Sequence, residues 1–280
     1  MKTKKIWYVT GASQGLGLCL VRKLLRHGYS VAATSRMLDA LEESVSDLHK
    51  DAHFLPLSVD LNDTEAINKS IAQTKEKFGA IDVVVNNAGY GMTGTLEETD
   101  DSKIRSIIDI NILATINVTK AVLPYFREQR SGYFINLSSV AGFSGAPGWS
   151  VYSATKAAVT AFSEVLALDL KDLGIKVTSV EPSGFRTSFL TKNSLVFQET
   201  KIHGYDAVRA NQVSYMAMDG KQAGNPQKAA EIFIDLAETE NPPVHLFLGA
   251  DAYKRASKKI DELKEELELW KPVTLSADFK

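Results

Sequence analysis

Short, continuous apolar runs alternate with amphipathic segments along most of the chain. The runs "IWYVT" (6–10), "SVAATS" (30–35), "HFLPLSV" (53–59), "IDVVVN" (81–86), "GYFINLS" (132–138), "KVTSVEP" (176–182) and "VHLFLG" (244–249) are rich in β-branched residues. They show little alternation of apolar and polar positions. Strands of that kind are covered on both faces, as in a parallel sheet. Between them, apolar positions recur at helical spacing over Leu16–His27, Leu38–Lys50, Asp63–Phe78, Asp101–Gln129, Trp149–Leu173 and Pro226–Glu238. This repetition predicts an α/β fold: a doubly wound parallel sheet, Rossmann-like, in three layers. No linker, repeat or low-complexity segment divides the chain, so residues 1–280 are read as a single domain.

Two segments break the rhythm. Residues 188–225 mix Phe189, Tyr205, Tyr215, Met216 and Met218 with polar residues and show no clear strand. A long insertion in a compact domain predicts a substrate-binding lid, against the plainer alternative of a surface excursion. Residues 250–280 form an extension, helical from Asp251 to Trp270, with Ile260, Leu263, Leu267 and Trp270 on one face. That face is too short for several heptads. It is expected to pack on the domain or on a partner subunit.

Composition narrows the function classes. With 280 residues, 44% hydrophobic and 24% charged, the chain can bury a sizeable core. A net charge of −2 gives no field to attract nucleic acid or an anionic membrane, and neither is expected as a partner. The early run "IWYV" is too short for a signal-peptide core, and no apolar run is read as approaching membrane-spanning length. The one cysteine, Cys19, excludes an internal disulfide framework and reads as a structural thiol among Leu16, Leu20 and Leu24. The expected compartment is the reducing cytoplasm. His27, His49, His53, His203 and His245 are scattered without zinc spacing, so no metal site is expected.

Two stretches carry candidate chemistry. After the first strand comes "TGASQGLG" (10–17), opening a helix. Gly11, Gly15 and Gly17 allow a tight turn and close approach of backbone to a pyrophosphate, which would meet the helix N-terminus. The spacing departs from G-x-G-x-x-G, and glycines after an arbitrary strand can be a plain turn. At the first strand of an alternating α/β chain they predict dinucleotide binding. Farther on, "SVYSATKAAV" (150–159) sets Tyr152 four residues before Lys156 in a helix, so the two heads share a face. A fixed positive charge beside a phenol favours phenolate and lowers its pKa from about 10, which would make a proton donor and acceptor. Chance also produces such pairs, and the rest of the chain has to decide.

The rest of the chain resembles the short-chain dehydrogenase/reductase family, single-domain branch. The matching motifs are "TGASQGLG" (10–17), "VDL" (59–61), "NNAG" (86–89), Asn111 in "INILAT", "INLSSVAG" (135–142), "YSATK" (152–156) and "EPSGFRT" (181–187). They stand in family order and spacing and cover residues 6 to about 190. The resemblance implies that Gly11, Gly15 and Gly17 cradle the pyrophosphate, with Ser13 and Leu16 of the same turn at the cofactor. Asp60 and Leu61 would meet the adenine. Asn87, Ala88 and Gly89 would support the adenosine ribose and the central sheet. Pro182, Gly184, Phe185 and Thr187 would lie at the nicotinamide, with Thr187 on its carboxamide. Ser183 stands where the family usually has glycine, and Gly184 is expected to absorb the difference.

The resemblance also implies the catalytic roles. Ser139, 13 residues before Tyr152, is the expected serine, with Ser138 the lesser candidate. Ser139 and Tyr152 would hold a ketone or aldehyde oxygen, and Tyr152 would exchange its proton as hydride moves. Lys156 would bind the nicotinamide ribose and lower the Tyr152 pKa. Asn111 would hold a water linking Lys156 to solvent. The cofactor is expected to be NADP (NADPH). An NAD fold places an acidic residue at the end of the second strand, where this chain has Ser35, followed by Arg36, whose planar fork suits a phosphate. The substrate is expected to be a small carbonyl or alcohol compound with an apolar body, met by Phe143, Trp149, Phe185, Phe189, Tyr215 and Met216. A homodimer or homotetramer is expected through the helices 101–129 and 149–173. The alternatives are a noncatalytic dinucleotide-binding sensor or regulator, and an epimerase or dehydratase on the same scaffold.

Overall fold

The structure is a computed structural model and describes residues 4–48, 52–199 and 201–279. The seven apolar runs become strands β1 (Ile6–Val9), β2 (Ser30–Ser35), β3 (Phe54–Ser58), β4 (Val83–Asn86), β6 (Gly132–Leu137), β7 (Ile175–Pro182) and β9 (His245–Leu248). They form one sheet of order β3-β2-β1-β4-β6-β7-β9, every pair parallel. Two further strands, β5 (Gly91–Thr93) and β8 (Leu195–Phe197), pair with each other.

The register explains the continuous apolar runs. Tyr8 lies beside Ala32 and Val84, Val84 beside Phe134, and Phe134 beside Val177. This row faces α3 (Thr64–Phe78), α5 (Ala114–Gln129) and α7 (Ser150–Leu170), burying Ile71, Val118, Phe126 and Leu166. The neighbouring positions, Trp7, Val31, Val83 and Tyr133, face the other way. They pack against α1 (Gly15–Arg26), α2 (Leu38–Glu43) and α9 (Pro226–Glu238) through Leu20, Leu24, Leu41 and Phe233. Each core side chain withdrawn from water contributes roughly 1.5–3 kcal/mol, which is why both helical layers stay attached. Pro56 lacks an N–H for a ladder, and it sits on edge strand β3.

Several expectations change. The helix expected over Leu38–Lys50 stops at Glu43 and is followed by one tight turn, Ser46–Leu48. His49 and Lys50 lie outside the described residues. The stretch Asp101–Gln129 is not one regular helix. It runs as α4 (Asp101–Ile108), a π-helical turn (Asp109–Leu113) and α5. It is also long enough, at a mean hydropathy of 1.4, to cross a membrane, contrary to the reading that no run comes near. In this fold Ile107, Val118, Val122 and Phe126 of that stretch are fully buried inside the domain.

The insertion 188–225 does contain a strand, β8, held by β5. It continues into α8 (Asp206–Ala217). Its backbone is tied down by Gln198 N–H to Thr93 O at 2.8 Å and by the Glu98 carboxylate, which accepts from Ile202 N–H at 2.9 Å. The final helix, α10 (Ala250–Leu275), buries only its start. Ala252 and Ala256 pack on β9 and on α6 (Val140–Phe143), while Ile260, Leu263, Leu267 and Trp270 are exposed. Of the two alternatives expected for this stripe, packing on its own domain does not occur, because the helix runs past the domain's edge.

Candidate active site

The sheet order reverses between β1 and β4, the point at which a doubly wound sheet forms its ligand crevice, outside the carboxyl ends of the strands. The glycine turn lines it. Gly11 has φ +62° and Gly15 φ +60°, and a Cβ on Gly11 would stand 2.8 Å from Ala88 Cα. Asn87 Nδ2 donates to Thr10 O and Gly11 O, both at 2.9 Å, which clamps the turn to the end of β4. Thr10 adds a second tie: its hydroxyl accepts from Asn87 N–H and Ala88 N–H at 3.0 and 3.1 Å. Gln14 begins α1 without capping it, and the first turn holds no acidic residue, so the positive helix end faces the crevice. This cradle, bare of capping side chains, fits a dinucleotide pyrophosphate. Ser13 and Leu16 lie in the same turn, half-buried.

The edge of the crevice is built by β2 and β3. Val59 N–H donates to Ser35 O at 3.1 Å, which brings Asp60 and Leu61 beside Ser35. Asp60 is exposed and accepts from Asn62 N–H at 3.0 Å, and Leu61 is buried. Ser35 Oγ accepts from Met37 N–H at 3.0 Å, which leaves its proton free to donate outward. Arg36 is exposed, and among the described residues no hydrogen bond or ion pair engages its guanidinium. Its charge acts on the Tyr90 phenol, which burial and then Asp109 raise and Arg36 lowers.

The inner end gathers the remaining residues. Lys156 Nζ donates to Leu137 O at 2.7 Å, and it lies 5.9 Å from the Tyr152 ring centroid. A Cβ on Gly89 would meet Asn111 Oδ1 at 3.0 Å and Lys156 Nζ at 3.4 Å, so Asn111, Lys156 and Gly89 converge on one spot. Asn111 lies in the π turn. Its amide accepts from Tyr90 N–H and donates to Tyr90 O and to Thr155 Oγ1, each at 3.0 Å. Both amide protons are thus used within the protein, and Thr155 in turn donates to Tyr152 O at 2.7 Å. Asn111 ties the π turn to Tyr90 and to α7, and only a lone pair of Oδ1 is left over for a water.

Ser139 caps α6, its Oγ accepting from Ala141 N–H at 3.1 Å, and its hydroxyl acts on the Tyr152 phenol. Ser138 points away: it donates to Lys156 O at 2.7 Å. Burial dominates the titration. It pushes Tyr152 up to about 12, against the lowering by Ser139, and brings Lys156 down to about 8. The expected lowering of Tyr152 by the Lys156 charge does not act here: burial raises the phenol, Ser139 pulls it down and Tyr215 adds a smaller rise. Tyr152 is only 6% exposed. Its ring stands 5.4 Å from Trp149 and 5.9 Å from Phe189, and Trp149 stands 4.9 Å from Tyr215. Phe189 and Tyr215 come from the insertion 188–225, whereas Phe143 stacks on Phe247 instead, at 5.3 Å.

The loop after β7 closes the crevice. Ser139 Oγ reaches Pro182 O at 3.5 Å, and Thr187 Cβ would lie 3.8 Å from a Cβ on Gly15. Neither Ser183 nor Gly184 adopts positive φ, so the serine carries no strain and Gly184 has nothing to absorb. The reason is local. Ser183 N–H extends the β7–β9 ladder to Leu248 O at 3.1 Å, while Gly184 O and Phe185 pair with Gly224. Sequence reasoning missed Thr10, Thr155 and Gln14. Gln14 Nε2 donates to Ser194 Oγ at 2.8 Å, joining the glycine turn to the insertion.

The family model for short chain dehydrogenase matches residues 5–195. Oxidoreductase BOA17 of Botryotinia fuckeliana is 37% identical over 274 residues, covering 98% of this chain and 99% of its own. The crystal structure of a short-chain dehydrogenase from Streptomyces avermitilis superposes with a TM-score of 0.89 at 34% identity, over 98% of this chain and 100% of that one. ElxO, solved with NADP bound, superposes with a TM-score of 0.72 at 28% identity, over 87% of this chain and 96% of that one.

Proposed function

The chain belongs to the short-chain dehydrogenase family of oxidoreductases, and on that premise we propose that it moves a hydride between NADP(H) and the carbon of a carbonyl or alcohol group. The observation that carries this reading is the meeting of Ser139, Tyr152, Lys156 and Asn111 at the inner end of a crevice whose outer end is the glycine turn.

Gly11, Ser13, Gly15, Leu16 and Gly17 would hold the pyrophosphate, and Ser35 with Arg36 the 2′-phosphate. Asp60 and Leu61 would hold the adenine, with Asn87, Ala88 and Gly89 lining the middle. Pro182, Gly184, Phe185 and Thr187 would hold the nicotinamide end. When bound, the dinucleotide supplies or accepts the hydride. In reduction, Ser139 donates a hydrogen bond to the substrate oxygen, and Tyr152 donates its phenolic proton to the same atom. Two positioned donors stabilise the charge that develops there, and they do so best in a dry site. Trp149, Phe189 and Tyr215 exclude water from the phenol. The Lys156 ammonium offsets the negative charge left on Tyr152 and returns a proton to it. In oxidation Tyr152 accepts the alcohol proton.

The aromatic wall favours a substrate with an apolar body. Residues 188–225 act as its lid, since they supply Phe189 and Tyr215. Ala161, Val165 and Leu168 of α7, all exposed, suit a homodimer or homotetramer contact. Cys19 is half-buried and burial raises its pKa, an unreactive thiol that fits the cytoplasm. The test is NADPH oxidation by the purified chain over a panel of apolar ketones and aldehydes. Carbonyl-dependent oxidation supports the reading. A chain that binds NADPH tightly and oxidises it with no carbonyl in the panel contradicts it.

A further inference from the structure

We propose that Arg255 of α10 is a positioning residue for this reaction: by holding the end of α6 it sets where Ser139 stands against Tyr152, a role that rests on the proposed chemistry of those two residues.

The need for a brace lies in α6 itself. Val140–Phe143 is a single turn. One turn fixes several backbone dihedrals for very few hydrogen bonds, so it does not persist by itself. Ser139 is its N-cap, with Oγ accepting from Ala141 N–H at 3.1 Å. The place of that oxygen follows the place of α6, which its packing neighbours decide. One neighbour is α7. A Cβ on Gly142 would stand 2.7 Å from Ala157 N and from Lys156 C, so backbone meets backbone beside the catalytic lysine. The second neighbour is the start of α10, where Ala252 and Ala256 are buried.

The contacts from α10 are specific. Arg255 Nη2 donates to Ser144 O, the carbonyl that directly follows α6. Ser144 N–H donates to Val140 O at 2.7 Å, so the residue held by Arg255 is the one that closes the turn. Carbonyls at a helix end have no partner within the helix, and a guanidinium supplies one. Arg255 Nη1 stands 3.8 Å from Asp251 Oδ2, one turn back on α10, which orients the planar fork. The Arg255 side chain is 23% exposed, which limits competition from water for the Ser144 carbonyl. Next to Ser144, Phe143 stacks on Phe247 of β9. The same helix start abuts the loop after β7. Gly249, which precedes α10, has φ +103°, and a Cβ there would stand 2.7 Å from Ser183 Oγ. Ser139 Oγ reaches Pro182 O of that loop at 3.5 Å. The first turns of α10 thus bear on both segments that surround Ser139, and Arg255 acts through α6 rather than on the reacting atoms.

The test is a double-mutant cycle in the full chain: wild type, Arg255→Ala, Ser139→Ala and the double variant. Each is followed by single-turnover NADPH oxidation with an apolar ketone. Arg255→Ala should lower the rate by about ten-fold, below the roughly hundred-fold that a misplacement of about 1 Å can cost. NADPH affinity should stay within about two-fold of wild type. In the Ser139→Ala background the same substitution should change the rate by less than about two-fold, because the group it positions is gone. Equal losses in both backgrounds would overturn the proposal, and so would an equal loss in Lys254→Ala, which removes the same charge from the exposed neighbour. Should Arg255→Ala unfold, as read by circular dichroism, Arg255→Met takes its place, keeping the aliphatic stem without the donor. Hydrogen exchange separates the brace from the catalytic reading. The amides of Ala141, Gly142 and Ser144 should exchange at least about ten-fold faster in Arg255→Ala, while α7 keeps its wild-type rates. Unchanged exchange at those three amides overturns the proposal whatever the activity. A wild-type chain that reduces no ketone defeats the catalytic reading instead, and exchange alone then decides whether Arg255 holds α6.

Discussion

Lys156 and Tyr152 are shifted in opposite directions by the same cause. Burial removes water from both, so the neutral form of each is favoured: the amine falls to about 8 and the phenol climbs to about 12. The Lys156 charge is therefore complete below about pH 8 and lost as pH rises through that value, while Tyr152 still keeps its proton. Carbonyl reduction should fall by about ten-fold per pH unit above about 8, because the charge that offsets the departing Tyr152 proton is gone. A kcat/KM profile flat to pH 10 would contradict this assignment. At the other end of the crevice, Arg36→Ala should weaken NADP(H) by about 1.5–3 kcal/mol, the range for a charged hydrogen bond, and leave NAD(H) nearly unchanged. Ser35→Asp should shift preference toward NAD(H), since a carboxylate repels the 2′-phosphate. Fluorescence titration with both cofactors checks the pair, and equal losses for both in Arg36→Ala would refute it. Tyr152, Lys156 and Ser139 were legible because two lie one helical turn apart and the third at a motif spacing. Thr10 and Thr155 were not. Thr10 acts on Asn87 across the sheet, and Thr155 acts by clasping Asn111, contacts that no local pattern carries.

At the scale of elements, the strands and helices followed from apolar runs and helical spacing, and the differences have local physical reasons. The π turn at Asp109–Leu113 is one extra residue per turn in an otherwise helical pattern, invisible to a hydrophobic period of that length. It brings Asn111 to face the backbone of Tyr90. Strand β8 went unseen because three residues paired only with the equally short β5 leave no alternation to read. The helix after Met37 stops early because Ser44 and Ser46 bond back to Ala40 O and Glu43 O, closing local turns. Asn111→Ala would leave Tyr90 N–H and O unpaired in the interior. It should cost about 1–3 kcal/mol in urea unfolding and slow turnover more than it weakens cofactor binding. Unchanged stability together with unchanged kcat would show that the π turn holds itself without Asn111.

Over the whole molecule, the sheet's reversal point decides where the chemistry can sit. The glycine turn leaves β1, the Asn87–Gly89 segment leaves β4, Ser139 follows β6 and the Pro182–Thr187 loop ends β7, so four strand ends open onto one crevice. The insertion 188–225 brings Phe189 and Tyr215 to its inner end, and α10 runs past the domain's edge away from it. The proposed hydride exchange at this crevice makes Tyr152 the proton carrier. The measurement that tests it most directly is single-turnover NADPH oxidation with a reactive carbonyl, wild type against Tyr152→Phe, with NADPH affinity titrated for both. The account predicts equal affinity within about two-fold and a rate at least about 100-fold lower in the variant, since a positioned general acid contributes 10²–10⁴-fold. A Tyr152→Phe enzyme that binds NADPH equally well and keeps more than about a tenth of the wild-type rate would contradict it.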